Sequence, residues 1–418
     1  MDRLSEVFVA GGQPTATYVP RIKFKLEERI RIYLETRYKI LSISGATKTG
    51  KTVLVRSVVP RDESIWLSGG QITNIDSFWD LILVQLDGST DSEESSTLAT
   101  EEVNARELDA SARVAGVGGA VKTHHSEAEG RQTTLSKRKS FSKSAVALKA
   151  LEEAMIPLVI DDFHYTPKTI QTLIVRSLKD LVFDGLPVIL LSVPHRAFDS
   201  VRVEKEMTGR VEQLEVPFWE SAELKEIASR GFEKLNLTAS VELVDRLVAE
   251  SFSSPHQMQD FCSGVCRENF IVETQVETTP LAEPRDWDEF FRARASGTSK
   301  SAFDRLAIGP RQRRDRKPRT LMSGETVDIY TVILLGIATT GPLVQLRYEE
   351  LRQAFRKILS DDPPQRHEVT SVLEQMSKIA REEIEGEPVL DWDKEYSTLH
   401  ISDPFFAFYL RWVRNEIR

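Results

Sequence analysis

Apolar residues in the first half of the chain fall into two alternating kinds of run. One kind is short and nearly continuous: Ile40, Leu41 and Ile43; Ile65 and Trp66 within Ser64 to Leu67; Leu158, Val159 and Ile160; Leu186 to Ser192; and Val211 to Val216. Each has the length of a strand, and an unbroken apolar strand is one buried on both faces. The other kind repeats every three or four residues: Arg21 to Tyr38 on Ile22, Leu26, Ile30, Tyr33 and Leu34; Ile75 to Leu86 on Phe78, Leu81, Ile82 and Val84; Ser144 to Met155; and Lys168 to Asp180 on Ile170, Leu173, Ile174 and Leu178, while Val53 to Val55 continue from Lys51-Thr52 without a breaker. These read as amphipathic helices. The alternation predicts an α/β fold over 1–220, a doubly wound parallel sheet with helices on both faces. A ligand then sits beyond the C-terminal ends of the strands.

Past Trp219 the pattern is helical. Ser221, Ser240 and Ser254-Pro255 each open a helix with one apolar face, which predicts a small helical lid over 221–272. Residues 273–326 are polar and include the basic run Arg311 to Arg319, so they read as a solvated linker with short helical pieces. From 327 to 418, three helices (Asp328 to Thr339, Tyr348 to Leu359, Glu368 to Glu383) precede a hairpin, Val389 to Trp392 against Leu399 to Ile401, and a closing aromatic segment. That order predicts a winged-helix domain. Its third helix carries Glu374, Lys378, Arg381, Glu382 and Glu383, a mixed charge that weakens a DNA-reading role.

Residues 87–144 break the pattern, with one aromatic residue and many Ser, Thr, Glu and Lys. The stretch reads as an insertion, either a long loop or a β-hairpin of 114–121 against 131–136; a flexible loop with no catalytic role is the first reading, and a surface contacting DNA, a neighbouring subunit or a partner the alternative. At 418 residues the chain has room for about two to three domains. The net charge of −9 argues against a whole-surface nucleic-acid binder and leaves room for a local basic patch. Cys262 and Cys266, the only cysteines, read as buried thiols rather than a zinc site. Apolar runs such as Ile329 to Ala338 are too short to span a bilayer, and no secretory leader pattern opens the chain. The expectation is a cytoplasmic protein with no membrane contact.

The chemistry concentrates around Gly45-Ala46-Thr47-Lys48-Thr49-Gly50-Lys51-Thr52-Val53, which follows an apolar strand and opens a helix. Glycines at both ends let backbone N–H groups turn inward around a phosphate, and the helix N-terminus adds partial positive charge. Lys51 would bridge the β- and γ-phosphates, and the Thr52 hydroxyl would ligate Mg²⁺. One strand ends in Asp161-Asp162, which supplies an acid for the magnesium shell and a second, Asp162, to polarise an attacking water. Ser192 closes another buried strand and would face the γ-phosphate. Arg210 precedes a strand and could reach a γ-phosphate in its own subunit or a neighbour's, or form a surface salt bridge. Tyr18 and Val19 would wall the adenine, unless Tyr18 is core. Pro255 and His256 would contact nucleotide from the lid, unless His256 is an ordinary first-turn residue.

Tyr18-Val19-Pro20-Arg21, Gly45 to Thr52, Ile160-Asp161-Asp162, Ser192 and Ser254-Pro255-His256 together resemble the ordered marks of the AAA+/STAND ATPases, nearest the origin-recognition-like and archaeal-ATPase branches. The ending Leu399 to Tyr409 is similar to the one that closes winged-helix domains in STAND-type ATPases. The resemblance implies ATP/ADP and Mg²⁺ as cofactors and slow hydrolysis, since Asp-Asp stands where motors have Asp-Glu. It also implies a switch that is closed with ADP, and that with ATP opens, assembles with itself or engages a separately encoded effector, in bacterial defence or signalling. Moving such an equilibrium fully takes about 5 kcal/mol of differential binding. The alternative is a DNA-binding adaptor of the transposition-regulator or replication-initiator kind.

Overall fold

In the computed structural model, which describes residues 1–87, 142–193, 209–295, 297–310, 316–340, 345–384 and 388–412, the five apolar runs are strands. They are Ile40–Gly45 (β1), Ile65–Ser68 (β2), Leu158–Asp161 (β3), Val188–Ser192 (β4) and Val211–Val216 (β5). All pair in parallel, in the order β2-β3-β4-β1-β5. Helices Leu26–Thr36 (α1), Lys51–Val58 (α2), Ile75–Asp87 (α3), Lys143–Ala154 (α4) and Lys168–Phe183 (α5) cover the faces. Because side chains alternate across a strand, neighbours separate into two cores. Leu158, Ile160, Val188 and Leu190 join Phe78, Leu151 and Leu178 of α3, α4 and α5. Leu41, Ile43, Val159 and Leu191 join Ile30, Leu54 and Val55 of α1 and α2. The doubly wound expectation holds.

One strand differs from its reading. Val211 to Val216 is not buried throughout: β5 is the sheet edge, with Leu214 and Val216 inward and Gln213 and Glu215 exposed. Its alternating apolar and polar residues are the signature of a half-covered strand.

The helical half has a single core. Helices Ser221–Lys234 (α6), Val241–Glu250 (α7), Pro255–Glu268 (α8), Trp287–Arg292 (α9), Gly297–Ile308 (α10), Ile329–Thr339 (α11), Tyr348–Ile358 (α12), Arg366–Glu382 (α13) and Pro404–Trp412 (α14) contribute to one apolar cluster. At its centre the Phe261 ring lies 5.1 Å from Phe291 and 5.3 Å from Phe408, and Phe291 lies 4.7 Å from Trp412. The chain's first residues join this core rather than the sheet: Leu4, Val7, Phe8 and Val19 are part of it. Gly231 exists for Phe8, since a Cβ there would sit 2.1 Å from the Phe8 ring.

The stretch read as a solvated linker also packs into this core. Phe290 and Phe291 of α9 and Phe303 and Leu306 of α10 are buried. Their apolar faces are only one or two turns long, so the polar composition around them hid the burial. Gln345–Arg347 (β6), Leu390–Asp393 (β7) and Thr398–Ile401 (β8) form an antiparallel sheet ordered β6-β8-β7. The hairpin was expected; β6 was not. The suggested hairpin of 114–121 and 131–136, and most of the 87–144 insertion, lie outside the described residues, as do 311–315.

Candidate functional site

The strand β1 delivers Gly45 to the C-terminal edge of the sheet, where a Cβ would meet the Val216 carbonyl oxygen at 2.8 Å. Only glycine lets β5 and the loop approach this closely. The loop then turns through left-handed conformations at Lys48 (φ 62°) and Gly50 (φ 87°) before α2 begins at Lys51. Thr49 Oγ1 donates to the Ala46 carbonyl at 2.8 Å. Lys51, 7% exposed as a residue, reaches its ammonium back to donate to the carbonyls of Gly45 (2.8 Å) and Ala46 (3.0 Å). A cation thus sits inside a loop whose backbone amides are arranged for an anion.

Strand order brings the acids to this loop from two strands away. The Thr52 hydroxyl donates to Asp161 at 2.9 Å (Oδ2) and 3.2 Å (Oδ1). Asp162 turns left-handed (φ 53°), and its N–H donates to Asp161 Oδ1 at 3.0 Å. Gly69, just past β2, makes that turn possible, because a Cβ there would lie 2.2 Å from the Asp162 carbonyl oxygen. Sequence reasoning passed over Gly69; its one signal was Gly69-Gly70 directly after a strand. Ser192 lies beside Ser44 in register, 3% exposed, and its hydroxyl has no hydrogen-bond partner among the described residues.

A cavity of about 630 Å³ opens over the loop. Thr47 to Leu54 and Asp162 form its floor, Tyr18 and Val19 one wall, Trp219 another, and Pro255, His256 and Gln259 of α8 the lid. Asp403 and Phe405, more than 140 positions beyond α8's start, complete the lining. Burial, and then the Lys48 ammonium, push the His256 pKa down to about 4, so the imidazole is neutral at pH 7. Its ring meets Phe405 edge-on at 4.9 Å, and Lys48 Nζ lies 5.8 Å from the same Phe405 ring. The Tyr18 hydroxyl is turned away, donating to Glu27 and lying 3.0 Å from Ser57 Oγ. Burial, together with Glu27, raises its pKa well above the usual range. Tyr18 therefore offers the cavity its ring and not its hydroxyl.

Gln259 was not anticipated. It donates to Thr17 Oγ1 at 2.7 Å and accepts the Val9 N–H at 3.1 Å, tying the N-terminal segment to the lid helix. Arg210 needs correction. It lies at the N-terminal end of β5, where its carbonyl accepts the Ile40 N–H at 2.9 Å, and its guanidinium sits 5.2 Å from the Phe183 ring. Since β1 and β5 run parallel, Arg210 and its own phosphate loop occupy opposite ends of the sheet, so a role on its own subunit's phosphates is excluded.

Among solved structures, the fold is similar to the Walker-type ATPase of Pyrococcus abyssi, with a TM-score of 0.54 and 15% identity over 95% of this chain and 100% of that one. It is also similar to the Aeropyrum pernix ORC2 protein, solved as ADPNP-ADP complexes, with a TM-score of 0.50 and 13% identity over 99% of this chain and 98% of that one. No protein-family model matches the chain, and no curated protein matches its sequence. No helix among the described residues is long and apolar enough to cross a membrane.

Proposed function

We propose that this chain, whose fold is that of the AAA+ P-loop ATPases of the origin-recognition-like branch, is an ATP-binding and slowly hydrolysing switch of STAND type. The observation that carries the reading is the makeup of the cavity. The phosphate loop, the lid and the C-terminal segment share one wall through Lys48, His256 and Phe405. A ligand that touches the C-terminal half in one arrangement and not in another biases the position of that half.

Each residue has a role in this reading. The loop amides and Lys51 hold the β- and γ-phosphates, with Lys51 exchanging its two carbonyl partners for phosphate oxygens. Thr52 and Asp161, an all-oxygen pair already in contact, suit Mg²⁺ and would hold it, Asp161 through water. The metal would supply charge neutralisation on the phosphates. Asp162 orients the attacking water, the unpartnered Ser192 hydroxyl turns to the γ-phosphate, and neutral His256 donates from the lid. Arg210 acts only on a neighbouring chain's nucleotide, so full activity requires assembly. The domains are 1–220, a lid over 221–272, a connecting stretch over 273–326 and a winged helix over 327–418. The order helix, strand, helix, helix, hairpin at 329–401 supports that last module and keeps duplex DNA in the test beside a separately encoded effector.

The test is solution mass by light scattering in Mg·ADP and in Mg²⁺ with a non-hydrolysable ATP analogue, with and without duplex DNA, beside Lys51→Ala. Assembly of the wild type with the ATP analogue alone, and none for Lys51→Ala, is the expected result. Assembly only with DNA transfers the chain to the adaptor reading, and one unchanged mass throughout overturns the switch.

A further inference from the structure

Three segments of chain meet around Trp219: the phosphate loop, the stretch at Arg21, and residues 217–223. Its indole N–H donates to the Thr49 carbonyl of the phosphate loop at 2.9 Å, and its ring lines the cavity. The Arg21 guanidinium lies 5.0 Å from that ring and 4.8 Å from Phe24. Arg21 itself is 6% exposed and makes four hydrogen bonds. Nε and Nη2 donate to Glu223 at 2.9 and 3.0 Å, Nη1 to the Pro217 carbonyl at 2.7 Å and Nη2 to the Phe218 carbonyl at 2.8 Å. Glu223 is in the first turn of α6, where the lid begins, and also accepts the Glu220 N–H at 2.8 Å.

We propose that Trp219 is a positioning residue for the phosphate loop and, with Arg21 and Glu223, ties that loop to the lid. The peptide joining Thr49 to Gly50 is planar and trans, so its carbonyl and N–H point in opposite directions. Holding the Thr49 oxygen toward the indole directs the Gly50 N–H away from it, to the side where a phosphate oxygen is received. The bidentate pair between Arg21 and Glu223 resists separation, because parting the partners leaves a buried charge uncompensated. Arg21, residues 217–219 and the start of α6 therefore shift together, and a lid movement reaches the loop through one hydrogen bond.

The inference rests on reading the cavity as a nucleotide site, and the experiment separates the two. Mg·ADP and Mg·ATP affinities are measured by calorimetry, with steady-state hydrolysis and apo melting curves, for wild type, Trp219→Phe, Glu223→Gln and the double variant. Trp219→Phe keeps the ring and removes only the donor. It is expected to weaken nucleotide binding about fivefold to tenfold, the effect of one hydrogen bond. KM rises with kcat unchanged, because the contact is present in ground and transition states alike. Trp219→His, which keeps a ring N–H, recovers part of the loss. Glu223→Gln keeps the helix cap and does not line the cavity, yet weakens binding about threefold, and the double variant is no weaker than Trp219→Phe. Wild-type affinity in Trp219→Phe overturns the proposal and leaves the nucleotide site standing; additive losses overturn the link to the lid. Should Trp219→Phe fail to fold, unchanged affinity in Glu223→Gln overturns it. Wild-type protein that binds no nucleotide removes both readings.

Discussion

The two halves of the molecule divide their apolar residues differently. In the α/β half, adjacent residues of one strand enter different cores, Leu158 and Ile160 on one side and Val159 on the other. In the helical half, residues as distant in sequence as Phe8, Phe261, Phe291 and Phe408 enter the same one. Among the described residues, no apolar cluster joins the sheet and its covering helices to the helical core; the two meet through polar and cation–π contacts, such as the Trp219 N–H on Thr49 and Lys48 near Phe405. Single contacts of this kind form and break at small net cost, whereas each core resists being opened. The lid and the C-terminal segments therefore act as one body on the nucleotide half. A buried polar cluster strengthens that unity: Glu250 of α7, 1% exposed, accepts from Arg411 at 2.7 and 3.0 Å and from the Trp412 N–H at 3.0 Å.

The largest expected effect tests whether the halves are separable. Phe291→Ala removes a ring from the centre of the helical core and is expected to destabilise it by about 3–5 kcal/mol. By hydrogen exchange, amides of α8, α9 and α14 should exchange faster while those of β1, β3 and β4 keep their protection. Uniform acceleration across both sets would show that the two halves unfold as one unit.

A smaller effect tests the contact between them. His256 has its pKa lowered from an ordinary value of 6.5 to about 4. Its neutral form is the one the closed cavity tolerates, so the contribution is complete above pH 6.5 and is lost as pH falls toward 4. Lys48 faces it from the loop, and Asp403 lines the same cavity. On acidification from pH 7.5 to 5, the melting temperature should fall further for the wild type than for His256→Phe, which keeps the ring and cannot titrate. Parallel falls for the two proteins would assign the pH sensitivity elsewhere.

The smallest effect is an expected absence. Arg210→Ala should leave the nucleotide affinity of the isolated chain unchanged, since Arg210 and the loop lie at opposite ends of the sheet. It should lower hydrolysis only at concentrations where chains assemble. A loss of affinity in the monomer would contradict the strand arrangement as read.

What could be read from the chain alone was whatever depends on residues close in sequence. Short apolar runs marked the strands and period-3.6 patterning marked most of the helices, because burial on both faces of a strand, or on one face of a helix, imposes those patterns locally. The glycines and Lys51-Thr52 marked the phosphate loop, because backbone conformation and side-chain reach are set within a few residues. Even the pairing of Thr52 with Asp161 was legible, since each ends or follows a strand whose C-terminal edge must be shared. Strand order was not. Inserting β4 between β3 and β1, and setting β5 at the edge, is a choice among non-local pairings that no window of sequence contains. That choice removed Arg210 from its own site and left β5 half exposed. The burial of Phe290, Phe291 and Phe303, the close approach at Gly69, the Gln259 tie and the arrival of Phe405 beside His256 were likewise decided by tertiary packing. Each depends on a partner tens to hundreds of positions away, and only the closed core brings the two within contact distance.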